Sequence, residues 1–264
     1  MTRTRTTAAR LTLILTLTLA PWTQVGAQRG DGPGPGAAPV TPRSAAPIDL
    51  TGSWVSVVTE DWRYRMLTPA RGDYQGVPMT PEAVEIAEAW NPEADEASGE
   101  QCRSYGAAAI MRVPGRLNVT WQGDDTLRLE TDAGMQTRLF RFGPGAGPGG
   151  SPTWQGDSNA EWQGPGGGRR GAALSNGPGT GTLKVITRNM RAGYLRKNGV
   201  PYSENAVLTE YFNLARRPDG DEWLVVVAVV EDSQYLRQPF VVSTHFRKQA
   251  DGTGWDPTPC SATW

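Results

Sequence analysis

Turn residues divide most of this chain into short runs, and that spacing restricts the possible folds more than any other feature of the sequence. Pro114-Gly115, Asp132-Ala133-Gly134 and Pro218-Asp219-Gly220-Asp221 are examples of such turns. Short runs between closely spaced turns are typical of antiparallel hairpins. The runs predicted as strands are residues 53–59, 62–67, 108–113, 116–121, 126–131, 135–142, 182–190, 206–215, 222–231 and 239–248.

Little of the sequence favours helix. Thr80 as N-cap, Pro81 at the first helical position and Asn91-Pro92 as a stop predict one short helix at residues 81–90. Hairpins with so little helix leave two compact solutions, a sandwich or a closed barrel. Because consecutive runs are spaced to pair as neighbours, we predict a mainly β fold, an antiparallel up-and-down meander that closes into a barrel of roughly 8–10 strands.

The first 27 residues have the pattern of a secretory signal peptide. Three arginines precede an apolar run at residues 11–20, and Val25-Gly26-Ala27 offers small residues for cleavage before Gln28. The apolar run is about half the length of roughly 20 residues that a membrane-spanning helix needs. We therefore predict export by a cleaved signal peptide, to the periplasm or the medium, and no transmembrane segment.

Charge and cysteine content agree with an exported protein. The chain has 26 basic and 27 acidic residues, and loss of the three signal-peptide arginines leaves 23 basic residues, a net charge of 23 − 27 = −4. Such a balance provides no basic field for nucleic acid, so no nucleic-acid partner is predicted. Cys102 and Cys260 are the only cysteines, and an isolated pair in an oxidising compartment is most simply one disulfide.

Two segments are rich in Gly and Pro and have few residues to bury. Residues 28–48 are predicted to be a disordered leader, and residues 143–181 a flexible insertion. Within the insertion, Trp154 and Trp162 share strand parity and predict a short strand. Residues 49–264 are thus predicted to form a single barrel-like domain.

Two resemblances extend this prediction. Asp49-Leu50-Thr51-Gly52-Ser53-Trp54 resembles the Gly-x-Trp opening of a lipocalin-type barrel, which implies a lipocalin-like barrel closed at one end by Trp54, with Arg247 packed across it. More of the chain resembles an uncharacterised group of secreted proteins from environmental bacteria, which supports export and the domain boundary and implies no activity. That resemblance covers residues 49–143 and 182–260 and rests on VTEDWR (58–63), GAAAIMRVP (106–114), YLRKNGVPYS (194–203), TEYF (209–212) and WDPTPC (255–260).

Glu210 is the most informative carboxylate, because its neighbours along one strand face are all apolar. An ionised carboxylate that faces a core is costly unless a cation pairs with it, and Arg112, Arg65 and Arg138 are candidate partners. Three alternatives stay open: a buried structural ion pair, a register that leaves Glu210 in solvent with Tyr211 turned inward, or a polar anchor in a ligand cavity.

The remaining chemistry is sparse. His245 is the only histidine and alternates with the apolar file of Phe240, Val242 and Phe246, so we expect it on the outer face; it lines the lumen only if the lumen is polar. The sequence has no Gly-x-Ser-x-Gly elbow, and one histidine with two oxidised cysteines cannot form the usual zinc or copper site. We therefore predict no metal and no cofactor.

These features favour a secreted binding protein for a small, partly apolar or amphipathic ligand held in a barrel cavity. One alternative is a small-molecule enzyme of hydrolase or isomerase type that uses Glu210 or His245 as acid or base. Another is an envelope interaction module that presents residues 154–162 and 194–203 on its outer surface. The oligomeric state stays open. The candidate ligand-binding residues are Trp54, Trp62, Tyr64, Arg112, Tyr202, Glu210, Phe212 and His245.

Overall fold

The computed structural model of the protein describes residues 40–144, 149–164 and 180–263. The predicted signal peptide, residues 28–39 of the predicted leader, and parts of the Gly-rich insertion lie outside the described residues. The strands are β1 (Gly52–Val57), β2 (Arg116–Gln122), β3 (Thr126–Thr131), β4 (Thr137–Phe142), β5 (Asp157–Gln163), β6 (Thr182–Arg188), β7 (Gly193–Arg196), β8 (Val200–Tyr202), β9 (Val207–Arg216), β10 (Glu222–Glu231) and β11 (Phe240–Lys248).

Nine of these strands close into a barrel, which confirms the predicted fold class. The order around the barrel is β1-β11-β10-β9-β6-β5-β4-β3-β2, and β1 closes the ring by pairing with both β11 and β2. Strands β7 and β8 form a separate hairpin inserted between β6 and β9. Closure leaves no unpaired sheet edge in the ring, which removes the usual site of edge-to-edge association.

One pair of neighbours departs from the predicted antiparallel meander. A ring with an odd number of strands cannot alternate direction throughout, and here β4 and β5 run parallel, with Phe140 opposite Ser158. Parallel neighbours need a connection that returns along the barrel, and such connections take a dozen or more residues. The chain between Phe142 and Asp157 makes this connection, and its described parts, residues 143–144 and 149–156, belong to the predicted Gly-rich insertion.

Helical structure is more abundant than the one short helix predicted. The predicted helix is present as α2 (Pro81–Glu88), with the Thr80 hydroxyl accepting a hydrogen bond from the Ala83 amide at 3.3 Å. The other helical segments are α1 (Trp62–Arg65), α3 (Pro92–Ala97), a 3₁₀ helix (Gln101–Tyr105) and α4 (Ala107–Ile110). Among the described residues, no helix has the length and apolar content needed to cross a membrane.

Two predicted strands are therefore wrong. Residues 62–67 contain α1, which starts after Asp61, a residue with a φ of 49° that ends extended backbone. Residues 108–113 contain the end of α4 and the turn after it, and they are buried throughout. A short apolar run that is buried on all sides carries no periodicity, so its pattern fits a strand and a helix equally well.

Large apolar side chains fill the barrel interior. Trp54 is fully buried, and its indole N–H donates to the Leu50 carbonyl at 3.0 Å. The cation that packs on this indole is Lys248, whose Nζ lies 4.4 Å from the ring centroid, and not Arg247. The strand register explains why the expected Arg247 is replaced by Lys248. Lys248 is opposite Trp54 in the β1–β11 pair, whereas Arg247 is opposite Val55 and is exposed.

The β7–β8 hairpin and the helices pack over one end of the barrel. Tyr202 of the hairpin and Ala83 of α2 share an apolar cluster with Leu208, Val230 and Phe240, which lie where β9 starts, β10 ends and β11 starts. Every residue from 193 to 203 is buried. The prediction that residues 194–203 form an exposed contact loop is therefore wrong.

Two further contacts define the limits of the domain. The predicted disulfide is confirmed, with Cys102 and Cys260 joined and their Cα atoms 5.1 Å apart. Residues 40–48, which the sequence assigned to the leader, lie against the barrel: Ile48 is buried in the core and the Trp162 indole donates to the Pro42 carbonyl at 2.8 Å. Contacts with the barrel thus reach back to Pro42.

Candidate functional site

A cavity of about 390 Å³ lies at the barrel end opposite the hairpin. Volumes of 300–1,000 Å³ are typical of sites for small molecules. We call this space the mouth cavity. Its apolar lining consists of Ala46, Pro47, Ile48, Leu50, Trp121, Leu127 and Trp162.

Strand direction brings the aromatic part of this lining together. Strands β2, β4 and β5 all run toward the mouth and reach it at Trp121, Phe142 and Trp162. The two tryptophans line the cavity, and Phe142 packs against both of them. The ring centroids of Trp121 and Phe142 are 5.8 Å apart, and those of Phe142 and Trp162 are 5.4 Å apart. Aromatic rings at these distances attract one another, so Trp121, Phe142 and Trp162 pack into one apolar wall.

The opposite wall is the N-terminal strap, which we define as residues 40–50. Two indole hydrogen bonds hold it, one from Trp162 to the Pro42 carbonyl and one from Trp54 to the Leu50 carbonyl. The side chains of Ile48 and Leu50, near the second attachment point, turn into the core and are at most 4% exposed. The strap is thus fixed at both ends while its middle borders open space.

Three charged side chains at the rim give the mouth cavity a polar side. Arg43 and Arg216 line it, and Arg216 also donates to Glu222 at 2.7 Å. Asp49 accepts hydrogen bonds from the Thr51 amide and hydroxyl. Burial raises the pKa of Asp49, but the Thr51 hydrogen bonds and the nearby Lys248 and Arg216 outweigh burial and hold that pKa below its usual value. The carboxyl of Asp49 therefore stays ionised at neutral pH.

Glu210 forms a buried ion pair, one of the three alternatives that the sequence left open. Both carboxylate oxygens accept hydrogen bonds from Arg138, at 2.9 and 2.5 Å, and the two side chains are at most 1% exposed. Arg138 also donates to Thr187 at 3.3 Å, and Thr187 bonds to Ser158. This polar layer is closed to solvent, so the geometry gives Glu210 no route to a substrate.

The other predicted ligand-binding residues lie apart from the mouth cavity. Trp54 and Phe212 belong to the packed interior and Tyr202 to the cluster under the hairpin. Trp62 is 61% exposed on α1. His245 lies on the outer face of β11, with Nδ1 3.0 Å from a Glu60 carboxylate oxygen.

Tyr64 and Arg112 are the two predicted residues that the structure brings together. Both line a narrow cleft beside the hairpin. None of the residues that line the mouth cavity was among the candidate ligand-binding residues, although one signal was present. The predicted strands 116–121 and 135–142 and the predicted 154–162 segment each end on an aromatic residue.

No family model matches the chain, and no curated protein matches its sequence. Within the described residues, no group of three or more His, Cys, Asp or Glu side chains is placed to hold a metal ion. The function is therefore inferred from the shape and lining of the mouth cavity. An apolar, aromatic cavity with a charged rim can hold a small molecule by burying its apolar part and leaving its polar part at the rim.

Proposed function

We propose that the protein is an exported binding protein whose mouth cavity holds a small, partly apolar molecule. The observation that carries this proposal is the cavity of about 390 Å³ between the aromatic wall and the N-terminal strap. Its apolar lining would bury the body of the ligand, while Arg43, Asp49 and Arg216 would meet a polar or anionic end. The signal-peptide pattern and the disulfide support a site of action outside the cytoplasm.

This proposal places the ligand at the barrel mouth and not in the barrel centre. The centre is occupied by the protein's own side chains, among them Leu129, Phe140, Leu183 and Phe212, each at most 1% exposed. Interiors packed in this way have no room for a second molecule. Binding at the mouth requires no displacement of that core.

Filling the mouth cavity should abolish ligand binding. The probe is 1-anilinonaphthalene-8-sulfonate, which is apolar with one anionic group and becomes fluorescent in apolar sites. We expect saturable one-to-one binding to the natural protein and a loss of at least about tenfold in affinity in Ala46→Trp, equivalent to about 1.4 kcal/mol. Ala46 lines the cavity and is not part of the packed core, so the added indole occupies the ligand space.

Ala45→Trp is the matched control. Ala45 is the neighbouring residue, is exposed, and does not line the cavity, so the same bulk should leave the affinity within about twofold, which is less than 0.5 kcal/mol. Octanoate, added as a competitor, should displace the probe from the natural protein and from Ala45→Trp. Equal probe affinity in both tryptophan variants, or no saturable binding at all, would remove the mouth cavity as a ligand site.

A further inference from the structure

Four buried basic side chains line the narrow cleft beside the β7–β8 hairpin. They come from α1, from the turn after α4, and from the end of β7 and the residue after it. None of the four is more than 6% exposed. This basic cleft consists of Arg65, Arg112, Arg196 and Lys197, with Tyr64 and Ser104 beside them.

Arg65 has a structural role within the basic cleft. Its Nε donates to the Arg112 carbonyl at 2.9 Å, one terminal nitrogen donates to the Ser56 hydroxyl at 3.2 Å, and the other pairs with Glu60. All three guanidinium nitrogens are therefore used. Lys197 is likewise engaged, since its Nζ donates to the Tyr105 hydroxyl at 2.7 Å.

Arg112 and Arg196 are only partly satisfied. Arg112 donates through Nη1 to Asp61 at 3.1 Å, but its buried Nη2 has no hydrogen-bond partner among the described residues. Arg196 donates through Nη1 to the Gln75 carbonyl at 2.8 Å, and its buried Nε is unpartnered in the same part of the chain. Within the described ranges, no carboxylate lies within 4 Å of Arg196.

The two guanidinium groups share the basic cleft and one aromatic neighbour. Their central carbons lie 5.8 and 5.9 Å from the centroid of the same ring, that of Phe240. Burial and the positive charge of Arg112 together lower the pKa of Arg196 to about 10, against the opposing effects of Asp61, Tyr64 and Asp73. A buried charge that lacks a counter-charge is costly, and removing its solvent without replacing its hydrogen bonds adds to that cost.

We propose that the basic cleft binds a small anion between Arg112 Nη2 and Arg196 Nε. The cleft has a free volume of about 20 Å³, which is the size of one water molecule. It therefore admits a single negatively charged atom, either a free halide or one oxygen of a small carboxylate that projects outward. The basic cleft shares no lining residue with the mouth cavity, so the anion site does not depend on the proposed ligand there.

Chloride should stabilise the natural protein in a saturable way. The melting temperature is measured as sodium chloride replaces sodium methanesulfonate, which is neither a halide nor a carboxylate, at constant ionic strength, and then as sodium acetate replaces methanesulfonate. At a concentration ten times the dissociation constant we expect a rise of about 3–5 °C. If the melting temperature rises with chloride alone, the anion in the basic cleft is a free halide. If it rises with acetate as well, the cleft also accepts a carboxylate oxygen. Both results support the site.

Arg196→Met and Arg112→Met should each remove the chloride response by at least three quarters. Met keeps most of the apolar length of the side chain, so the packing on Tyr64 and Phe240 is largely retained. Arg217→Met is the control, because Arg217 is exposed in the β9–β10 turn at the mouth end of the barrel; it should respond to chloride like the natural protein. An equal response in all three variants would overturn the proposal.

Crystals of the natural protein grown in bromide give a second measurement that does not require any variant to fold. We expect an anomalous-scattering peak in the basic cleft, within about 3.5 Å of both unpartnered nitrogens, as a hydrogen-bonded anion requires. Water density in the cleft without an anomalous peak would contradict a halide, and together with no acetate response it would overturn the site.

Discussion

Arg138→Met should lower the free energy of unfolding by about 3–5 kcal/mol, because it leaves the Glu210 carboxylate buried with no cation. Both side chains are at most 1% exposed, and Arg138 supplies both hydrogen bonds to the carboxylate. Glu210→Gln should also destabilise the protein, since it leaves the guanidinium without its counter-charge. Urea denaturation followed by tryptophan fluorescence measures both changes.

The double variant Arg138→Met with Glu210→Leu tests whether the pair acts as a unit. It removes both charges and keeps apolar volume next to Phe140 and Phe212, so it should recover most of the lost stability. The coupling free energy from the double-mutant cycle should reach at least about 2 kcal/mol, within the range for residues in one hydrogen-bonded network. Additive losses would contradict the ion-pair interpretation, and a changed probe affinity in the double variant would show that Glu210 contributes to binding.

The strand pattern of the sequence was sufficient to predict the barrel. Alternation along the run 126–131 places Leu127 and Leu129 on one face, and both are in the packed interior. It also placed Glu210 on an apolar face, but alternation within one strand does not identify the partner. Arg138 is on β4 and Glu210 on β9, and the strands β5 and β6 separate them in the sheet order. Only the closed ring brings the two side chains together across the interior.

Helices in the connections were harder to predict, because their burial comes from distant elements. The Ala107–Ile110 helix lies against the hairpin and the 3₁₀ helix, so all its residues are apolar and it shows no amphipathic period. Residues 194–203, which contain Arg, Lys and Asn, were predicted to be a contact loop on the outer surface. These polar groups are buried with partners from other segments, such as the Asn198 amide, which donates to the carbonyls of Ala70 and Asp73.

The location of the mouth cavity depended on the direction of a single strand. In an entirely antiparallel meander, β5 would run opposite to β4, and Trp162 would lie at the other end of the barrel from Trp121. The parallel β4–β5 pair reverses β5 and places both indoles at the mouth, 6.5 Å apart between ring centroids. The residues of the site were therefore visible as strand-terminal aromatics, but their convergence required the return connection between Phe142 and Asp157.

Removing the disulfide should cost about 5 kcal/mol, an upper value set by the entropy of a loop that spans 158 residues. The double variant Cys102→Ser with Cys260→Ser removes the cross-link without leaving a free thiol. Since the cross-link restricts the unfolded chain, the variant should also expose more surface on unfolding and show a steeper dependence on urea. Equilibrium unfolding in urea gives both the free energy and this slope.

The structure predicts that the serine variant keeps its native fold in the absence of urea. The C-terminal segment has other attachments: the Thr258 amide donates to the Asp132 carbonyl at 3.0 Å, and the Ala262 amide donates to Glu96 at 2.6 Å. The natural protein reduced with dithiothreitol is the matched control and should unfold at the same urea concentration as the serine variant. Because the loss is attributed to the unfolded chain, ligand binding at the mouth cavity should be unchanged below the transition. A free-energy difference under about 1 kcal/mol between oxidised and reduced protein would contradict the loop-entropy argument, because even a 15-residue loop accounts for about 3 kcal/mol.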